Sequence, residues 1–407
     1  MKTKTAVLNG KPDAGNPHVR FDEGEVASYP PTVGRPEGVA MRGAKPRRGS
    51  LLYRSIAIQF IALALAVAGG ATVPAWNDRS PEETRGWFLE NIYGKRPPEA
   101  ENPRVSFVPI GADRVMMDGS AVRRKVRITY EGPYGRNSFD VVAFLPAKRR
   151  PAPAFLLLCN RPASMNIDPE RVNKSDFWPA EEIVRRGYAA VAFYLSEVAP
   201  DYNTGNRDGV FACYEKPGWT YRRPDLWGTL SAWAWGASRD MDWLETVPEV
   251  DANRVAVVGH SRVGKTALLA GVTDNRFAMA CVNDSGCSGA KLNRMDLPRS
   301  EHIRQIYRHF PYWFCGNYTE WINREEEIPC DQHQWLALMA PRLVAVGSAE
   351  DDVWAGPPGE EACCRLARPA WTDSSKVDYH IRPGGHDLNL TDWKVYMDFA
   401  DRHGWRK

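Results

Sequence analysis

Histidine is scarce in this chain, with 8 in 407 residues, and none of them forms the H-E-x-x-H spacing of a helix-borne zinc site. The eight cysteines, at 159, 213, 281, 287, 315, 330, 363 and 364, match no zinc-finger spacing either. No metal and no other cofactor is therefore expected. Charge of one sign is nearly absent as a surplus: 53 basic against 50 acidic side chains leave a formal +3. That balance provides no basic field, so nucleic acid is not an expected partner. No internal repeat occurs, which excludes solenoids and propellers. The segment G-H-S-R-V-G-K at 259–265 lacks the first glycine of a phosphate loop, and its loop is too short to cradle phosphates.

Long apolar runs are also lacking. Residues 1–40 are polar, rich in Gly and Pro, and without helical or strand period, so they read as disordered or as a mis-assigned start. From Met41 a basic stretch (Arg42, Lys45, Arg47, Arg48 and Arg54) precedes the apolar run Ile56 to Val67 and small residues through Ala75. Basic, apolar and small segments in that order make an export signal. The run is shorter than the roughly 20 residues of a membrane-spanning helix. The expectation is a secreted protein, extracellular or periplasmic, with Met41 a candidate initiator and no stable membrane insertion after cleavage. Residues 1–75 are then disordered terminus plus signal peptide, and 76–407 one catalytic domain, expected to be a monomer.

From about Asp78 the pattern alternates between strand and helix. Val126 to Tyr130 and Phe139 to Phe144 read as an antiparallel entry hairpin. Continuous apolar runs of the buried parallel type follow: Ala154 to Cys159, Tyr188 to Leu195, Arg254 to Val258, Met279 to Val282, Leu343 to Val346 and the shorter Val377 to Ile381. Helical segments between them include Ala180 to Arg186, Leu226 to Leu244, Lys265 to Gly271 and Trp393 to His403. The expected fold is α/β: an α/β-hydrolase fold, a three-layer αβα sandwich with a mostly parallel central sheet. Ser196 to Pro224 and Cys287 to Pro329 are long enough to be cleft-building insertions. Cys159 and Cys281, in apolar runs, read as buried thiols; Cys287 and Cys315, in loops, are the disulfide candidates. Most of the 15 tryptophans read as core, with some free to line a sugar-binding cleft.

The chemistry centres on Arg254 to Leu268, where an apolar strand enters a glycine-flanked Ser261 and then a helix-forming segment. A nucleophile elbow needs that context, with small residues on both sides of a sharp turn. Here the second glycine, Gly264, falls one place later than in G-x-S-x-G. The competing reading of Ser261 is an ordinary helix N-cap. In this architecture the order along the chain is serine, acid, histidine. His386, in the Gly-rich turn after the last strand, is the candidate base, whereas His380 inside that strand reads as structural. For the acid, Asp352 follows a late strand, with Glu350 and Asp351 beside it, and Asp284 follows the strand after the nucleophile helix. All remain candidates at this point.

Several ordered motifs run from about Pro81 to His403: the G-H-S-R-V-G-K elbow, N-D-S-G-C, F-P-Y-W-F-C, D-Q-H-x-x-L-A-L-x-A-P-R, S-A-E-D-D-x-W-A-G-P and G-G-H-D. Together they resemble the bacterial glucuronoyl esterases, carbohydrate esterase family 15. The resemblance implies cleavage, without a metal, of the ester between 4-O-methylglucuronate on xylan and lignin alcohols. Glucuronoxylan or a lignin–carbohydrate ester is then the substrate. It implies Ser261 as nucleophile, His386 as base and Arg262 as oxyanion stabiliser. Lys265 and Trp354 match positions that contact the glucuronoyl sugar, with Glu301 or Gln305 further contacts. The family's acid occurs at either of two places, which match Asp284 and Asp352, and its cysteine pairing suits Cys287 with Cys315. One departure stands out: after Ala154 to Cys159 many bacterial members carry a G-N-H loop, whereas this chain reads Asn160-Arg161-Pro162-Ala163-Ser164-Met165-Asn166. The alternatives are an acetylxylan or other carbohydrate esterase, and an inactive, polysaccharide-binding homologue.

Overall fold

The computed structural model describes residues 73–148, 151–218 and 221–406. The expected signal segment, basic from Met41 and apolar over Ile56 to Val67, lies outside the described residues. Ten strands form one sheet: β1 (Arg104–Pro109), β2 (Arg114–Met116), β3 (Ala121–Gly132), β4 (Gly135–Pro146), β5 (Ala152–Cys159), β6 (Ala189–Tyr194), β7 (Val250–His260), β8 (Phe277–Asn283), β9 (Leu343–Ala349) and β10 (Val377–Arg382). Their order is β1-β3-β4-β6-β5-β7-β8-β9-β10, with β2 on β3. The run from β6 to β10 is parallel, while β1 to β4 are antiparallel. The hairpin read from the sequence is β3–β4, in register Val126↔Val141 and Tyr130↔Asn137.

Every residue of β5 is buried. Strand alternation sends Ala154, Leu156 and Leu158 to one face and Phe155, Leu157 and Cys159 to the other. Both faces must then be covered. The first packs against α2 (Thr229–Leu244), α3 (Arg262–Thr273) and α4 (Pro357–Ala367); the second packs against α1 (Ala180–Arg185) and α5 (Leu390–Arg402). Each large apolar side chain so buried contributes about 1.5–3 kcal/mol. Helix–sheet–helix layering is the result, as expected. Ten tryptophans are buried in these layers, whereas Trp354 is 42% exposed.

Strand order decides where chemistry can happen. β6 lies on one side of β5 and β7 on the other. The chain therefore reverses its winding beside β7, and a crevice opens there at the carboxyl ends of the strands. β7, β8, β9 and β10 each deliver a loop to that edge, carrying Ser261, Asp284, Asp352 and His386 in turn.

β1 and β2 were not anticipated. Their side chains are mostly exposed or half-buried, so no apolar period announces them. Among the described residues no helix is long and apolar enough to cross a membrane.

Candidate active site

Ser261 joins β7 directly to α3 with φ 61° and ψ −131°, a conformation that strains any residue with a side chain. The strain is held by close packing. A Cβ at Gly259 would lie 2.0 Å from the Val263 carbonyl oxygen, and one at Gly264 would lie 2.8 Å from that of Asn283. The displaced second glycine thus has its own cause: it lets α3 approach the end of β8. Ser261 N–H donates to the Asn283 carbonyl at 2.8 Å, fixing the turn from the other side. The Ser261 side chain makes no capping hydrogen bond to α3, so the N-cap reading fails on geometry.

His386 sits in the turn after β10, and its ring packs against that of His260, the residue before Ser261, with centroids 4.4 Å apart. Burial, and then the facing His386, push the His260 imidazole well below its ordinary pKa, so it packs there as a neutral ring. His260 Nδ1 is 2.6 Å from Asn283 Oδ1. Arg382 holds the His386 turn by donating to the carbonyls of Pro383 and Gly385 at 3.3 and 3.2 Å, and to that of Asp387. Its Nε donates to Asp392 at 2.8 Å, and Arg161 clasps Asp387 at 2.6 Å.

The candidate acids now separate. His386 Nδ1 lies 2.6 Å from Asp352 Oδ2, and Asp352 Oδ1 accepts from the Ala355 N–H at 3.2 Å. A carboxylate at Nδ1 keeps the proton there and leaves Nε2 as the basic nitrogen. Glu350 and Asp351 point to solvent. Asp284 is buried, with φ 42°, and neither of its carboxyl oxygens accepts a hydrogen bond among the described residues. Its nearest cation, Arg382 Nη2, stands 3.5 Å away. Burial, reinforced by Glu360 and Asp352, raises the Asp284 pKa to about 9, so it is a neutral acid at pH 7. Asp284, Asp352 and His386 bring ligand-type atoms within 4.8 Å of one another, the one group with metal-ligand spacing among the described residues.

Beside this cluster, Lys265 is buried in α3, its ammonium 3.0 Å from Glu301 Oε2 and donating to the Ser285 carbonyl. Glu301 Oε1 accepts from Trp354 Nε1 at 2.8 Å, and Oε2 also accepts from Cys287 N–H at 3.0 Å. Lys265, Glu301 and the exposed Trp354 therefore form one linked unit. Gln305 is not part of it, because its amide oxygen accepts from His302 N–H at 3.0 Å and caps the helix Ile303–His309. Arg262, at the first position of α3, sends its Nε to Asp201 Oδ2 at 2.6 Å.

One expectation is corrected. All eight cysteines are free and buried, and Cys287 is not bonded to Cys315. The Cys287 thiol is spent on Asn293 Oδ1 at 3.4 Å, and the Cys315 thiol on the Glu90 carbonyl at 3.4 Å, so the two face different neighbours. His380 is structural as expected, 2.9 Å from Asp392 Oδ1. Glu360 was missed: fully buried, it accepts from Ser285 N–H and Oγ, Gly286 N–H and Ser348 Oγ at 2.6–3.0 Å, and so anchors the loop carrying Asp284. Its partners lie 74 and 75 residues upstream and 12 upstream, which no local pattern reveals.

A serine at a strained strand-to-helix turn, with a histidine–aspartate pair on neighbouring loops of a mostly parallel sheet, defines the α/β-hydrolase class of carboxylic ester hydrolases. The family model described as "Glucuronyl esterase, fungi" matches residues 170–374. A carbohydrate esterase from an unknown prokaryotic organism is 34% identical over 373 residues, covering 81% of this chain and 85% of the relative. A glucuronoyl esterase from Solibacter usitatus has a similar structure, with TM-score 0.72 and 32% identity over 81% of this chain and 93% of that one. So does a promiscuous CE15 esterase from a marine bacterial metagenome, with TM-score 0.71 and 32% identity over 82% of this chain and 97% of that one. The chain belongs to the glucuronoyl esterases of carbohydrate esterase family 15.

Proposed function

We propose that this protein hydrolyses 4-O-methyl-glucuronoyl esters that join glucuronoxylan to lignin alcohols, by a Ser261–His386–Asp352 triad through an acyl-enzyme. The observation that carries the reading is the 2.6 Å pairing of His386 with Asp352 beside a serine held at φ 61°. His386 takes the Ser261 proton as the hydroxyl attacks the uronate carbonyl. Asp352 stabilises the imidazolium that forms. The oxyanion meets the Arg262 N–H and its permanently charged guanidinium. His386 then protonates the departing alcohol, and a water it activates cleaves the acyl-enzyme.

Lys265, Glu301 and Trp354 hold the sugar. A buried ammonium that donates and a half-buried carboxylate that accepts suit uronate hydroxyls, and the exposed indole supplies a face for the ring. The chain works as an exported monomer on polymeric substrate.

The test is hydrolysis of benzyl glucuronate against acetylated xylan, with Ser261→Ala as control. Release of benzyl alcohol that Ser261→Ala abolishes supports the proposal; activity on acetyl groups alone overturns it. A broader ester range is the second reading, favoured by the Asn160–Asn166 loop, where Arg161 lies over Phe177 at 4.1 Å beside His260.

A further inference from the structure

The two long irregular stretches of the sequence meet at one carboxylate. Asp201, in the first, accepts Arg262 Nε on Oδ2 at 2.6 Å. Its other oxygen faces the second stretch: Trp313 Nε1 donates to Oδ1 at 3.1 Å and the Tyr312 hydroxyl at 3.2 Å. The same hydroxyl donates to the Asp201 carbonyl at 3.0 Å. Burial, and then the Asp201 charge, push the Tyr312 phenol well up, so it remains a donor. Trp313 is stacked on Phe310 with centroids 3.9 Å apart and planes 3° from parallel. The Arg262 guanidinium lies 5.7 Å from the Trp313 ring centroid. Phe310, Tyr312 and Trp313, to which the F-P-Y-W-F-C motif assigned no individual role, thus build a rigid seat for Asp201.

Arginine at the first position of a helix opposes the helix dipole, and its long side chain has many rotamers to lose. Something must hold it. Asp201 grips Nε, the inner nitrogen, which leaves the two Nη groups at the far end of the fork for an incoming charge.

We infer that Asp201 is the positioning residue for Arg262: it fixes the guanidinium so that the Nη groups meet the oxyanion at Ser261. The inference rests on the reading of Arg262 as oxyanion stabiliser. A contact made only in the transition state appears in kcat and not in KM.

The experiment measures kcat and KM on benzyl glucuronate for the wild type, Asp201→Asn, Arg262→Ala and the double variant. Asp201→Asn puts an amide where a carboxylate met Nε. It is expected to lower kcat about 10–100-fold with KM within about twofold, a fraction of what losing an oxyanion donor costs. In the Arg262→Ala background the same change is expected to matter less than about twofold. Asp201→Glu recovers part of kcat. Tyr312→Phe, which keeps the ring and removes one donor to Asp201, lowers kcat by a smaller factor and serves if Asp201→Asn does not fold. If Arg262→Ala is crippled while Asp201→Asn keeps wild-type kcat, or if Asp201→Asn costs as much with Arg262 absent, the inference is overturned and the Arg262 reading stands. If Arg262→Ala itself keeps wild-type kcat, that reading falls and the inference falls with it.

Discussion

Asp284 and Asp352 both lie close to His386, and substitution to asparagine can separate their roles. Asp352 Oδ2 meets His386 Nδ1 at 2.6 Å. Asparagine there would favour the wrong imidazole tautomer, and kcat should fall by about 10⁴-fold, or about 5.5 kcal/mol in barrier. Asp284 is already neutral, its pKa raised to about 9 by burial, Glu360 and Asp352. Asparagine is nearly isosteric with a neutral aspartic acid, so kcat should change by less than about tenfold. Stability supplies the second readout. The unfolded chain ionises this group near 3.8, whereas the folded chain keeps its proton up to about 9. Between those values unfolding releases a proton, and the wild type loses stability as pH rises, by about 1.4 kcal/mol per unit. From about pH 5 to pH 8 that amounts to at most about 4 kcal/mol, on the order of 5–10 °C in Tm. Asp284→Asn cannot ionise and lacks this slope, so its advantage over the wild type should grow with pH. Thermal unfolding of both proteins across that range, beside kcat on benzyl glucuronate, is the assay. A stability difference that is flat in pH, or an Asp284→Asn enzyme as crippled as Asp352→Asn, would refute the assignment.

Gly264→Ala forces a Cβ to within 2.8 Å of the Asn283 carbonyl and 3.0 Å of Ser285 Cβ, costing about 1–3 kcal/mol of stability in denaturant titration and lowering kcat as the elbow shifts. Lys265→Met strands Glu301 beside Trp354, a loss of about 3–5 kcal/mol that Lys265→Met with Glu301→Gln recovers in part; activity on the uronate stays lost in both, and full activity in the pair would sever this cluster from substrate binding. With eight buried free cysteines, a thiol reagent should find none in the folded chain and all eight after denaturation, at an unchanged Tm with or without reductant. A count of six in the unfolded, unreduced protein would reinstate one disulfide.

What the sequence disclosed about this site follows how local each determinant is. The elbow was legible because its cause lies within six residues: a buried strand, two glycines and a helix start share one turn. His386 stood out as a candidate from chain order and from its Gly-rich turn after the last strand. The parallel strands were legible because burial on both faces leaves unbroken apolar runs; β1 and β2, exposed, left none. Which aspartate pairs with His386 was not legible, because the choice turns on an ångström-scale difference in two loops. Asp352 ends a turn aimed at His386, whereas Asp284 is withdrawn at φ 42° into a pocket where neither of its carboxyl oxygens accepts a hydrogen bond among the described residues. Residue type could not separate them; desolvation does. Asp201 was hidden for a related reason. Its partner Arg262 is 61 residues away and the donors that seat it are more than 110 away. The insertions were recognisable as cleft material by their length, yet what they hold could be read only once the fold brought them together. The candidate nucleophile and base are properties of single loops on a common sheet edge. The groups that set their charge and aim are properties of the tertiary structure, and it is there that members of one family can differ in substrate while keeping the same elbow.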